Sequence, residues 1–369
     1  MSAAEPAPRH PAVTETLQEP AVVRSGFANM IKLNLALQGG GAHGAFTWGV
    51  LDRLLEDEDI EIAAVSGTSA GAINAIVAVE GILEGGKAFA RAQLDDFWRG
   101  VAEAARASPF KPLPFARDPR YDLTRSPLYL MGIAMMRAFS PYQLNPHNFN
   151  PLRDLLDKYI QYERLVGQDR IKLFINTTHV ATGALRIFRE HELNTDIVLA
   201  STTLPQLFQT PLIDGEGYWD GGYVANPAIE PMTEATDVRD VLVVQLNPLV
   251  RENIPTATQE IFDRLNEIVF NASLLAELRR IAERNHLVES GELSADRHPV
   301  IRLHLVHGDG ELAAYAGSSR LLADSGFLNE LKALGRARMD RFLRRHKHEI
   351  GQTSSFDYAR MMAHRFGKA

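Results

Sequence analysis

The stretch IKLNLALQGGGAHGAFTWGVLDRLLEDEDIEIAAVSGTSAG, residues 31–71, decides the fold. It opens with a short apolar run, Ile31 to Leu37, that ends in Gln38 and three glycines. Beyond the glycines, Phe46, Val50, Leu51, Leu54 and Leu55 recur at helical spacing. A second apolar run, Ile62 to Val65, leads into Ser66-Gly67-Thr68-Ser69-Ala70-Gly71. Ile73, Ile76, Val77, Val79 and Ile82 then mark a buried helix. Strand, glycine loop, helix, strand, tight turn, helix is the order of a parallel sheet with helices on its faces. The expected fold class is α/β: three α/β/α layers around a mostly parallel central sheet, with a helical C-terminal extension.

Upstream, residues 1–30 hold Pro, Glu, Arg and His with no continuous apolar run, which excludes a secretory signal and reads as a disordered leader. Downstream, eight of the 19 prolines fall between Ser108 and Pro151, so residues 108–151 read as an insertion that could cap a site. Within it, Leu128 to Phe139 is almost wholly apolar, and its length favours a core helix over an interfacial segment or a span. Strands resume at Ile171 to Asn176 and Leu185 to Phe188, and a hairpin is expected over Pro211 to Asp220 with Asp214-Gly215 at its turn. Val241 to Leu246 and Val300 to Val306 are further strands, separated by one long helix marked by Ile261, Leu265, Ile268, Val269, Ala272, Leu275, Leu278 and Ile281. The expected organisation is a catalytic domain over residues 31–250 and a mainly helical extension over 251–369.

Across the 369 residues, 45% are hydrophobic and 23% charged, which supports a sizeable core and excludes wholesale disorder. Cysteine is absent, which removes disulfide frameworks, Cys-ligated metal sites and thiol nucleophiles and fits a reducing, cytoplasmic setting. The net charge of −7 argues against nucleic acid as a partner. No apolar stretch reaches the length of a membrane span.

Gly67-Thr68-Ser69-Ala70-Gly71 matches G-x-S-x-G, the nucleophile elbow. A serine on a sharp strand-to-helix turn needs small neighbours, and the helix that follows points its positive end at the developing charge. Alone the pattern is weak; its place between an apolar strand and an apolar helix strengthens it. Gly39-Gly40-Gly41-Ala42-His43-Gly44 has three readings: an oxyanion hole, a dinucleotide fingerprint or a plain turn. A dinucleotide site wants an acid at the end of the second strand, where this chain has Ser66 to Gly71 instead. That favours the oxyanion hole. Candidate bases are less sharply defined. Asp214 fits a turn, Asp220 closes a strand after Tyr218-Trp219, and His286, His298, His304 and His307 leave a Ser–Asp–His order open. His43 reads as a residue that orders its loop.

Gly39 to Phe46, then Gly67 to Gly71, then Asp220-Gly221-Gly222, in that order, resemble the patatin-like phospholipase family over about Leu33 to Asn247. Ala200 to Pro205 resembles the segment that the family carries before its aspartate. The resemblance implies a Ser69–Asp220 dyad with no histidine, and an oxyanion hole from the amides of Gly39, Gly40, Gly41 and Ala42. Gly44, Gly67, Gly71, Gly221 and Gly222 would support the motifs, with neither metal nor cofactor. His43 stands where many members carry Arg or Lys, which puts a charge-based role of that position in doubt. The implied activity is acyl-ester hydrolysis of phospholipids or other lipids, of phospholipase A or lysophospholipase type. An intracellular polyhydroxyalkanoate depolymerase with the same dyad is the alternative, and a nucleotide-binding regulatory protein the more distant one.

Such substrates imply a peripheral membrane or lipid-granule surface. Leu128 to Phe139 is one candidate. The basic run Lys332, Arg336, Arg338, Arg341, Arg344, Arg345 and Lys347 is another, although the interleaved Leu331, Leu334, Met339, Phe342 and Leu343 favour an amphipathic helix packed on the body.

Overall fold

The computed structural model describes Met1 and residues 30–107, 121–251, 254–358 and 360–362. The leader expected over residues 1–30 lies outside the described residues except at its two ends, and so do Pro109, Pro112, Pro114 and Pro119 of the proline-rich segment.

One mixed sheet contains β1 (Ile31–Leu37), β2 (Ile60–Gly67), β3 (Lys172–His179), β4 (Leu185–Arg189), β5 (Leu212–Ile213), β6 (Glu216–Asp220), β7 (Asp240–Gln245) and β8 (Arg302–His307). β3, β2, β1, β7 and β8 lie side by side in that order, all parallel. β4 and β6 run antiparallel to β3, and β5 closes a hairpin onto β6. Its turn is Asp214-Gly215, both at positive φ, the conformation for which an Asp-Gly pair is suited.

Alternation along the strands sorts side chains between two faces. Leu33, Leu35, Leu37, Leu242 and Val244 share a core with α1 (Gly44–Leu54), α2 (Ala70–Ala104) and the last long helix, Ser325–His346. Ala36, Val241, Val243 and Leu303 pack under Leu274, Leu278 and Ile281 of helix Thr258–Glu289. Both faces of the parallel strands are therefore covered, as their missing polar face requires. The result is the expected three-layer α/β/α architecture. Helices dominate the segment after residue 250, but β8 also carries the sheet past β7. Among the described residues, no helix is long and apolar enough to cross a membrane.

Two surface segments depart from the simplest reading. Helix Pro127–Ala138 begins as its sequence dictates, with the Ser126 side chain accepting the Tyr129 N–H and Pro127 in the first turn. Of its apolar residues, however, only Tyr129 is buried; Leu128, Leu130, Met131 and Met135 are 47, 50, 59 and 42% exposed. The expectation of a core helix is thus corrected. Apolar content specifies the helix, not the medium it faces.

The basic C-terminal helix does pack on the body, burying Leu331, Met339, Phe342 and Leu343. Five of the seven cations of the basic run are paired: Lys332 with Asp95, Arg336 with Glu56, Arg338 with Glu311, Arg344 with Asp340 and Lys347 with Asp57 and Asp59. Asp52 of α1 is the buried hub, meeting Arg91 at 2.7 Å and also Arg336 and Lys332. Burial pushes its carboxyl up, but Arg91, Lys332 and Arg336 together outweigh this and hold it below the usual range. Asp52→Asn is expected to cost about 2–4 kcal/mol, somewhat under a fully buried pair because Arg91 and Arg336 are about one-third exposed. A depressed carboxyl contributes above its unfolded pKa and loses that contribution as pH falls through the folded one. The gap from wild type should therefore be present at neutral pH and close in acid; equal denaturant midpoints at neutral pH would contradict it.

Candidate active site

The site follows from a strand with three partners. β3 pairs with β2 over Lys172–Ile175, with β4 over Phe174–Thr178 and with β6 over Thr177–His179. A strand has only two edges, and β4 overlaps both of the others, so β2 and β6 must share the opposite edge. They arrive there head to head: β2 ends at Gly67 opposite Ile175, and β6 ends at Asp220 opposite Thr177. The residue at the gap is Asn176. Its side-chain amide donates to Ser66 Oγ, Gly67 O and Thr68 Oγ1 at 3.0–3.1 Å, fastening the end of β2. Neighbouring β1 ends level with β2, Leu37 opposite Gly67, so the glycine loop leaves the sheet beside the serine turn.

Ser69 caps α2 with φ 55° and ψ −124°, a strained conformation for a residue with a side chain. Its N–H donates to Ser201 Oγ at 3.0 Å, and Ser201 donates in turn to Asn176 O at 2.7 Å. The turn fits only around small residues. A side chain at Gly71 would run into the Leu37 carbonyl, and one at Gly222 into the Phe270 ring. Gly44, Gly67 and Gly221 face similarly close neighbours: Ala70, Ala72 and Asn176.

Asp220 is 1% exposed. Its N–H is held by Thr203 O at 2.9 Å, and its carbonyl accepts Thr178 Oγ1 at 2.8 Å. Oδ1 accepts the Gly222 N–H at 2.7 Å, and the Ser69 side chain lies near enough to the carboxyl to favour its anion. Burial drives the Asp220 pKa up to about 7, opposed by the Gly222 N–H and the Ser69 hydroxyl. With no cation among its partners, desolvation wins. Sequence-distant Ser69 and Asp220 are thus brought together.

The glycine loop needs one correction. The Gly39 N–H already donates to Asn226 Oδ1 at 2.7 Å, so it is not available to an oxyanion. Among the described residues, no acceptor takes the amides of Gly40, Gly41 or Ala42. The loop is fixed from several sides. Gln38 Oε1 accepts the Leu246 and Asn247 amides, Asn247 Nδ2 donates to Gly39 O, and Asn226 Nδ2 donates to Phe270 O. None of Asn176, Asn226, Gln38 or Asn247 stands out in the sequence. Asn226 left the one usable signal, an Asn-Pro pair just past Asp220-Gly221-Gly222.

His43 is 1% exposed and bonds through Nε2 to Ser319 Oγ at 2.8 Å. Ser319 gives its own proton to Ala316 O, so its oxygen accepts and Nε2 carries the hydrogen. Burial, with Arg320 and Arg251 adding to it, pulls the His43 pKa well below its ordinary value and keeps the ring neutral. It ties the loop to the C-terminal region. His304 is also committed elsewhere, to Asp240 and Ser355 at 3.0 and 2.8 Å. Among the described residues, no histidine bonds Ser69 or Asp220.

A three-layer α/β/α protein with a serine at a strand-to-helix elbow falls in the class of α/β acyl hydrolases. The chain belongs to the patatin-like phospholipase family, whose model matches residues 35–233. That membership supports lipid acyl hydrolase activity in general. No curated protein matches the chain. Among solved structures it is similar to VipD from Legionella pneumophila, at 14% identity and a TM-score of 0.41, covering 86% of this chain and 67% of that one.

Proposed function

We propose that the chain hydrolyses lipid acyl esters through an acyl-enzyme, with Ser69 as nucleophile and Asp220 as general base. The carrying observation is the buried Ser69–Asp220 pair next to Gly39, in a loop whose Gly40, Gly41 and Ala42 amides find no acceptor among the described residues. As Ser69 Oγ attacks the acyl carbonyl, its proton passes to Asp220. The oxyanion is held by the Gly40, Gly41 and Ala42 N–H groups, with the positive end of α2 beneath the serine. Collapse expels the alcohol, which takes the proton from Asp220. Water then enters, gives a proton to the same carboxylate and releases the fatty acid, restoring Ser69. A base near pKa 7 suits both directions of transfer. Phospholipids or lysophospholipids are the substrates the family membership favours.

A fluorophosphonate probe should label the protein once per chain, on the peptide that carries Ser69. Labelling of any other residue, or none, would end the assignment. With labelling established, release of fatty acid from phospholipid vesicles separates this reading from polyester depolymerisation, which would show turnover on polyhydroxyalkanoate granules instead.

A further inference from the structure

We propose that helix Pro127–Ala138 and the N-terminal part of helix Thr258–Glu289 form one apolar face that docks this site onto a phospholipid surface; the proposal rests on the lipid-hydrolase reading above. The observation behind it is a helix with inverted polarity. Ile261, Phe262, Leu265, Ile268 and Val269 stand outward, 42–51% exposed. Past the exposed Glu260 of the first turn, the charges of the same stretch face the protein: Asp263 lies against Gly317, and Glu267 is 2% exposed among Arg251, Arg264 and Arg320. A helix facing water does the reverse.

The second helix continues this face. Arg137 lies over the Phe262 ring at 4.6 Å from its centre and donates to Gln259 at 3.3 Å. It is the one charged residue between Pro127 and Phe139, so Leu128, Leu130, Met131 and Met135 present an outer surface with no free charge. Contiguous exposed apolar surface of this kind marks an interaction site.

Continuity with the site selects the occupant. Val269 precedes Phe270, whose ring packs on Tyr223 at 5.3 Å and whose carbonyl accepts Asn226 Nδ2 at 2.9 Å. The face therefore ends at the loop that follows Asp220. Ser69 is only 9% exposed, so an acyl ester reaches it from whatever phase lies over this rim. The basic C-terminal helix, by contrast, spends most of its cations, all but Arg341 and Arg345 of its basic run, on neighbouring acids. Docking by this face is apolar insertion, whose strength follows buried area and not lipid charge.

Flotation of the full chain carrying Ser69→Ala, which leaves the lipid intact, with neutral phosphatidylcholine vesicles tests the face. The expected result is co-flotation that high salt does not reverse. Leu265→Ser with Ile268→Ser, and separately Leu130→Ser with Met131→Ser, should each lower the bound fraction by about fivefold or more. The same pairs placed in the Ser69 protein should leave hydrolysis of a soluble short-chain p-nitrophenyl ester unchanged, which reports intact folding. Three results would overturn the proposal: no flotation, flotation indifferent to both pairs, or a dimer in light scattering that Leu265→Ser dissociates, which would assign the face to a second copy. Loss of the hydrolase reading would appear in the ester assay alone, since flotation does not depend on turnover.

Discussion

Ser69→Ala should lower kcat/KM for a soluble p-nitrophenyl ester by about 10⁴-fold or more while leaving the fold intact. The size follows from the site's economy. In the proposed mechanism only Ser69 forms the acyl-enzyme, and what would remain is binding plus the three proposed oxyanion-hole amides, facing an oxyanion that water seldom generates. The fold should tolerate the change because the hydroxyl is not what shapes the turn. Asn176, Ser201 and the close contacts at Gly67 and Gly71 set the backbone, and Ala at φ 55° is strained to a similar degree as Ser. The variant should also lose fluorophosphonate labelling. Full turnover in Ser69→Ala, with an unchanged melting temperature, would remove the nucleophile from the proposal and with it the role of Asp220.

How much of this could be read from the chain depends on the range of the interaction. The order of strands and helices from Ile31 to Ile82 was legible because period-2 and period-3.6 patterns are local. So was the Asp214-Gly215 hairpin, whose turn needs two residues tolerant of positive φ. The head-to-head meeting of β2 and β6 was not. It depends on β3 accepting two partners along one edge, which no local pattern encodes. That the Gly39 amide is taken is hidden from the sequence for the same reason, since its acceptor, Asn226, is contributed from the far end of the domain. His43 looked like a loop residue and is one, but its partners Ser319, Tyr315 and Phe327 belong to the C-terminal region.

The apolar stripe of helix Thr258–Glu289 teaches a different lesson. Its periodicity specifies a helix, yet the apolar residues along it divide between two sides. Leu274, Leu278 and Ile281 face the sheet, while Ile261, Leu265, Ile268 and Val269 face outward. Spacing fixes which residues share a side of the helix. What covers that side is decided by distant arginines, which draw Glu267 inward and turn the apolar residues out.

Asp220→Asn is expected to destroy activity and stabilise the protein, in a pH-dependent way. Loss of the base should lower kcat by about 10³–10⁴-fold, and the wild-type rate should climb on the acid side through about pH 7 as the carboxylate ionises. Stability moves the other way. An unfolded aspartate ionises near 3.9, whereas the folded one holds its proton to about 7. Between those values the native state binds more protons than the unfolded state, so wild-type stability falls as pH rises through the window and levels off above it. Asparagine never ionises and can still accept the Gly222 N–H through Oδ1. Its advantage over aspartate should therefore widen by about 2–3 kcal/mol between pH 5 and pH 8. Denaturant titrations of both proteins at the two pH values read this directly. A difference in stability that stays constant across the two would mean that the carboxyl is not held protonated by burial. A mutant that instead keeps its turnover would assign the proton transfer to another group. The paired gain and loss is what a buried, uncompensated base would produce: a carboxylate without a counter-ion at the position where the proposed reaction would use it.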